Sequence, residues 1–188
     1  RARMSECPTP DLAVVVVTGV VYARWLSTAQ WDPDEGILLG WAQLLGRGFR
    51  MYTDIWSDQP PGLAVSLVAG FRLFGESVES GRLVVLAYGL VGMVGAALLA
   101  GLLGESLTPP PPLPQGERGA RWVGPIAAVA AAMLLAVVPN FFWLARSVSH
   151  DIPPIGVGTL AVALALLYAR TGRLDWLVAA GALLGWAV

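Results

Sequence analysis

Three short stretches of the chain gather the residues whose types and spacing could do chemistry. The first reads Trp31-Asp32-Pro33-Asp34-Glu35-Gly36. The second follows soon after as Tyr52-Thr53-Asp54-Ile55-Trp56-Ser57-Asp58-Gln59-Pro60-Pro61-Gly62, and the third runs from Trp143 through Arg146 and Ser149 to His150, Asp151 and Pro153. The single cysteine, Cys7, allows neither an internal disulfide nor a multi-cysteine metal site, and the single histidine, His150, excludes any site that needs two imidazoles. Chemistry in this chain must therefore rest on carboxylates. Adjacent acids at Asp34 and Glu35 also have an ordinary use, because negative side chains favour the positive end of a helix dipole.

The elements that would carry these residues are apolar. Of 188 residues, 56% are hydrophobic and only 13% charged, against roughly 25% charged in a typical soluble domain. With a mean hydropathy of 0.65 and apolar residues in blocks, the composition argues against a soluble enzyme. The net charge is −1 and no lysine is present, so no basic face exists for a nucleic-acid backbone, and nucleic acid is excluded as a partner.

A membrane-crossing helix needs roughly 20 mostly apolar residues. The blocks predict an all-α, polytopic transmembrane bundle of four to five spans, at about 12–27, 83–103, 122–145, 152–169 and 176–188. Leu83 to Leu103 is uncharged and rich in glycine, which suits close helix packing. Trp122 and Trp143 would anchor the third block at the interfaces. A signal peptide is the rival reading of the first block, but Glu6 and Asp11 spoil a basic leader and no small-residue cleavage site follows closely. Trp176 to Val188 reads as the start of a further span.

Residues 28–80 form the first outer loop, with seven acids (Asp32, Asp34, Glu35, Asp54, Asp58, Glu76, Glu79) against Arg47, Arg50 and Arg72. Asp34 to Arg47 places Ile37, Leu38, Trp41, Leu44 and Leu45 on one helical face, which predicts a helix lying flat at the membrane surface. Gly62 to Phe74 is too short to cross and contains Arg72, so an interfacial or re-entrant helix is expected there. Residues 105–121, with Pro109 to Pro112 and Pro114, read as a solvated cytoplasmic linker. The distribution of arginines leans towards a cytoplasmic N-terminus.

The three motifs and their order around the apolar blocks resemble the GT-C superfamily of membrane glycosyltransferases. The likeness is to the bacterial relatives of protein O-mannosyltransferase and of the lipid A aminoarabinose transferase, a glycosyltransferase family 39-like group. In those proteins an Asp-Glu pair follows the first span, a Tyr-x-Asp-x-Trp segment leads into a Pro-Pro pair, and an Arg precedes an Asp at the start of a later span. Here these are Asp34-Glu35, Tyr52 to Trp56 with Pro60-Pro61, and Arg146 with Asp151. Family members often carry Lys before the Pro-Pro pair where this chain has Gln59, which removes a cation for the donor phosphate. The family's membrane module usually has at least seven helices, so the resemblance implies that this chain is the first part of a longer transferase and is not expected to act alone.

The resemblance implies transfer of a sugar from a polyprenyl-phosphate donor to a hydroxyl or amine on the outer side of a cell membrane, the acceptor being protein, lipid or glycan. Asp34 is the implied base, with Glu35 second; Asp151 would orient the acceptor or share a divalent cation, Mg or Mn, with Asp34. Arg146 would offset charge on the leaving phosphate, or merely anchor the span boundary. His150, Asp54, Trp56, Asp58 and Gln59 complete the candidate substrate contacts, against ordinary roles as loop and interface residues. A non-enzymatic transporter or scaffold segment is the alternative; it would carry charges in mid-span, and the apolar blocks hold none.

Overall fold

The computed structural model describes residues 12–28, 32–107 and 117–187. Arg1, Arg3, Cys7, Trp31 and the proline run 109–112 lie outside the described residues. Eight helices account for most of the rest: α1 (Leu12–Ala23), α2 (Pro33–Gly46), α3 (Gly62–Phe74), α4 (Val78–Leu107), α5 (Glu117–Val137), α6 (Pro139–Leu144), α7 (Ile152–Thr171) and α8 (Leu174–Ala187). Among the described residues the only strand-like pairing is an isolated bridge between Met51 and Ile55, so the all-α expectation holds.

Among the described residues two helices, α4 and α7, are long and apolar enough to cross a membrane. With 30 residues, α4 extends about 45 Å at 1.5 Å per residue, more than the hydrocarbon core of about 30 Å. Helices α1, α3 and α8 and the stretch Val123–Val137 of α5 are apolar but shorter. Their outward faces are apolar too. Val16, Val17 and Val20 of α1, Ile126 and Leu134 of α5 and Val178 of α8 are all exposed, the kind of surface that a water-soluble monomer rarely shows.

Glycine sets the central contact. A Cβ added at Gly95 would lie 2.5 Å from the Leu160 nitrogen, and one at Gly156 would lie 2.3 Å from the Tyr88 carbonyl oxygen. Only glycine permits that backbone approach. Helices α4 and α7 therefore run side by side and parallel, with Tyr88 beside Gly156 near one end and Leu102 accepting from Arg170 at the other. Helices α1 and α5 return antiparallel to α4, through Val15, Met93, Ala128 and Ala132, and α8 folds back along α7 through Leu164 and Ala180. This alternation gathers the starts of α4 and α7 and the ends of α1 and α8 at one end of the bundle. Helices α2 and α3 dock there, through Leu38, Leu39, Ala42, Leu67 and Phe71 against Val85 and Val148. Helix α3 keeps its expected bounds, ending at Gly75, whose φ of 91° is the left-handed conformation that glycine tolerates.

Several expectations need correction. The block 122–145 is not one helix: Val138 is extended, with ψ 120°, because Pro139 crowds it out of the helical region and offers no N–H. The first block is helical only to Ala23 and then turns. The linker is narrower than 105–121, since helix continues to Leu107 and resumes at Glu117, while 108–116 lie outside the described residues. Glu105, placed in that linker by sequence, ion-pairs with Arg170 at 2.9 Å. Helix α2 is also turned from its expected face. It buries Glu35, Leu38, Leu39 and Ala42, leaving Ile37 and Leu44 exposed, because Leu39 packs against Gly81 and Glu35 has a buried partner on α4.

Candidate active site

Helix α2 begins at Pro33, and its cap is Asp32, whose side chain accepts the Asp34 N–H at 3.1 Å. Capping thus falls to Asp32 and leaves the next two carboxylates for other work. Asp34 turns outward to the segment between α6 and α7. His150 Nδ1 lies 3.8 Å from Asp34 Oδ2, and His150 Nε2 lies 3.6 Å from Asp151 Oδ1. Both separations exceed a direct hydrogen bond, yet each ring nitrogen faces one carboxylate. Asp151 is steadied by Ser149, whose Oγ accepts the Asp151 N–H at 3.2 Å. Two acids more than a hundred residues apart in sequence therefore stand within one imidazole of each other.

Two adjoining cavities open at this trio. One of about 220 Å³ is lined by Asp34, Trp56, Asp58, Gln59 and His150 over Leu38 and Trp41. The other, about 350 Å³, shares Leu38, Trp41, Gln59 and His150 and extends past Asp151 to Tyr88, Pro153 and Trp186. Trp186 Nε1 donates to the Tyr88 hydroxyl at 2.8 Å, and Ser66 Oγ pairs with the same hydroxyl at 2.6 Å. Tyr88 and Ser66 also line a third, apolar cavity of about 610 Å³ between α1, α3 and α4. Tyr88 thus separates the carboxylate cavity from an apolar groove.

Three expected site residues are occupied elsewhere. Arg146 is buried, donating to the carbonyls of Phe142 and Trp25 at 3.1 and 3.3 Å and lying 3.8 Å from the centroid of the Phe142 ring. Burial holds its guanidinium below the ordinary arginine range, with the charge of nearby Arg82 acting in the same direction. It lines neither carboxylate cavity. Asp54 closes its own loop, accepting from the N–H and Nε of Arg50 at 2.9 and 3.3 Å, in a turn where Tyr52 adopts φ 68°. Glu35 faces inward and forms a bidentate pair with Arg82, both contacts at 2.7 Å.

Sequence reasoning missed Arg82. It falls between the end of the acidic loop and the first uncharged residue of the long span, and a charge at a span boundary reads as an interfacial anchor. The available signal was charge balance: a lone arginine opening a helix that follows an acidic segment.

As for a metal, among the described residues no group of three or more His, Cys, Asp or Glu side chains is gathered to hold an ion. Asp34 and Asp151 instead flank an imidazole.

An acid–imidazole–acid cluster thus lies at one end of an all-helical bundle whose outward faces carry many apolar side chains. The family model described as dolichyl-phosphate-mannose-protein mannosyltransferase matches residues 119–188, just over a third of the chain. Over those residues the chain is similar to that family of mannosyltransferases. The matched residues include Arg146, His150 and Asp151 but not Asp34. No curated protein and no solved structure matches the chain.

Proposed function

We propose that the chain carries the acceptor-activating site of a membrane glycosyltransferase that uses a polyprenyl-phosphate-linked sugar. The observation that carries this reading is the meeting of Asp34, His150 and Asp151 where two adjoining cavities, of about 220 and 350 Å³, open side by side. A phosphate attached to the anomeric carbon is already a stabilised leaving group, so acid assistance is dispensable. A hydroxyl acceptor does need a base. Asp34 takes the acceptor proton as its oxygen attacks the anomeric carbon; the bond from that carbon to the phosphate oxygen breaks, and the phosphate leaves with the electron pair. A single in-line displacement of this kind inverts the anomeric centre.

Asp34 serves better than Glu35 as the base. Its carboxylate is about half exposed beside the cavity, whereas both oxygens of Glu35 are engaged. Asp151 orients the acceptor, and His150, set between the two carboxylates, adds a polar contact for the substrate. Trp56 supplies a flat face and Asp58 and Gln59 polar contacts for a sugar. The family's printed description names a dolichyl-phosphate-mannose donor and a protein acceptor; for this chain the reading extends to a polyprenyl-phosphate donor and a protein, lipid or glycan acceptor. The site faces the outer side of a cell membrane, in a multi-pass bundle whose shorter apolar helices α1, α5 and α8 join α4 and α7 as spans.

The test is sugar transfer from a radiolabelled polyprenyl-phosphate donor by the intact transferase in membranes. Asp34→Asn is expected to lower turnover by about 10²- to 10⁴-fold, the usual worth of a positioned base. Turnover near that of the unmodified protein would overturn the assignment.

A further inference from the structure

Glu35 and Arg82 are buried, at 7% and 4% exposure, and neither lines either carboxylate cavity. They nonetheless hold the segments that carry Asp34, His150 and Asp151. Glu35 Oε1 accepts from Arg82 Nε at 2.7 Å and from the Val148 N–H at 3.1 Å, while Oε2 accepts from Arg82 Nη2 at 2.7 Å. Arg82 Nη1 donates to the carbonyls of Leu26 and Thr28 at 2.6 and 2.7 Å. One ion pair therefore ties together the exit from α1, the start of α2, the start of α4 and the segment leading into α7.

We infer that Glu35 and Arg82 are a positioning pair that sets the spacing of Asp34, His150 and Asp151 without touching substrate. The leverage is short. Asp34 is the residue before Glu35, and His150 and Asp151 follow Val148 by two and three residues, at no more than about 3.8 Å of chain per residue. A planar guanidinium held by both carboxylate oxygens fixes orientation as well as distance. Apolar packing in the same place would supply stability equally well, but it would not hold the Val148 N–H in register with the start of α2. The kinetic part of this inference rests on the transferase reading above; the spectroscopic part does not.

The test uses the full chain with Glu35→Gln and Arg82→Lys, beside Leu164→Ala as a control in the distant α7–α8 cluster. The chain has one histidine, so ¹⁵N-histidine labelling, with a histidine-free tag, gives ring signals from His150 alone. Both site variants are expected to move those signals and to lower kcat by about tenfold to a hundredfold with KM nearly unchanged, the cost of a small misplacement of reacting groups. Leu164→Ala is expected to lower thermal stability while leaving kcat and the His150 signals in place. Arg82→Lys keeps the charge and loses the fork, so it decides the matter if Glu35→Gln fails to fold. Folded variants with unmoved His150 signals would overturn the inference, whatever their rates. Moved signals with unchanged kcat would support positioning and count instead against the roles given to Asp34, His150 and Asp151 in the transfer.

Discussion

Asp34 and Glu35 are neighbours of nearly the same chemistry, and the molecule puts them to opposite uses. Successive residues on a helix point about 100° apart, so the first turn of α2 presents one carboxylate to the open rim and drives the other into the packed end of the bundle. At the rim, Asp34 and Asp151 are about half exposed and stand 3.8 and 3.6 Å from His150, with no partner among the described residues that engages both oxygens of either. In the interior, Glu35 has bonds to both oxygens, and Arg82 makes four donor contacts. A buried charge is tolerated only when its partners are complete. A base that must gain and lose a proton needs slack around it. On the proposed reading, chemistry belongs to the rim and geometry to the interior.

The largest expected effect breaks the interior side of this contrast. Arg82→Ala leaves Glu35 buried without its counter-ion and frees the carbonyls of Leu26 and Thr28, and removing one partner of a buried pair costs about 3–5 kcal/mol. Thermal or denaturant unfolding in detergent should show that loss. The same measurement on Asp34→Asn should register less than about 0.5 kcal/mol, as for an ordinary surface change, despite its collapse in turnover. Equal destabilisation by the two variants would erase the distinction between rim and interior.

A smaller effect asks how far the rim depends on the bundle beneath it. Gly156→Val puts a Cβ where the Tyr88 carbonyl lies 2.3 Å away, and backbone cannot yield as a flexible side chain does. Forcing α4 and α7 apart is expected to cost about 1–3 kcal/mol, as overpacking does. Because Asp151 sits at the head of α7, turnover should fall with stability. Unchanged unfolding would show that the glycine contact does not set the spacing of α4 and α7.

Much of this arrangement was legible in the sequence, for reasons that differ by element. The long span at 83–103 and the span at 152–169 could be read because apolar length is a direct consequence of membrane thickness, and both lie inside observed helices. The short helix 62–74 was bounded by Pro-Pro and Gly75, whose backbone restrictions act locally. The convergence of Asp34 with Asp151 was legible only through the family resemblance and the alternation of the spans. What failed was tertiary in origin. The inward face of α2 could not be read from apolar periodicity, because the residue that decides it, Glu35, is polar and is drawn inward by Arg82. Arg146 carries the right charge for a phosphate, but its position under Phe142 and beside Trp25 depends on the break at Pro139, which the apolar run 122–145 conceals.

The smallest effect sharpens the rim itself by separating binding from proton transfer. Trp56 is 78% exposed yet lines the cavity that holds Asp34 and Asp58, so it contributes little to folding and is free to receive a sugar face. A ring packed on a sugar is expected to contribute roughly 1 kcal/mol, in the range of aromatic contacts. Trp56→Ala should then raise KM about fivefold, with kcat and unfolding unchanged, when initial rates are measured against donor concentration. That pattern would place Trp56 in ground-state binding and leave the chemistry to Asp34. A fall in kcat at constant KM would instead make the loop from Gly48 to Pro60 part of the reacting geometry. The division between a rigid interior and a chemically active rim would then have to include a segment held in shape by its own Arg50–Asp54 pair and the Tyr52–Gln59 hydrogen bond.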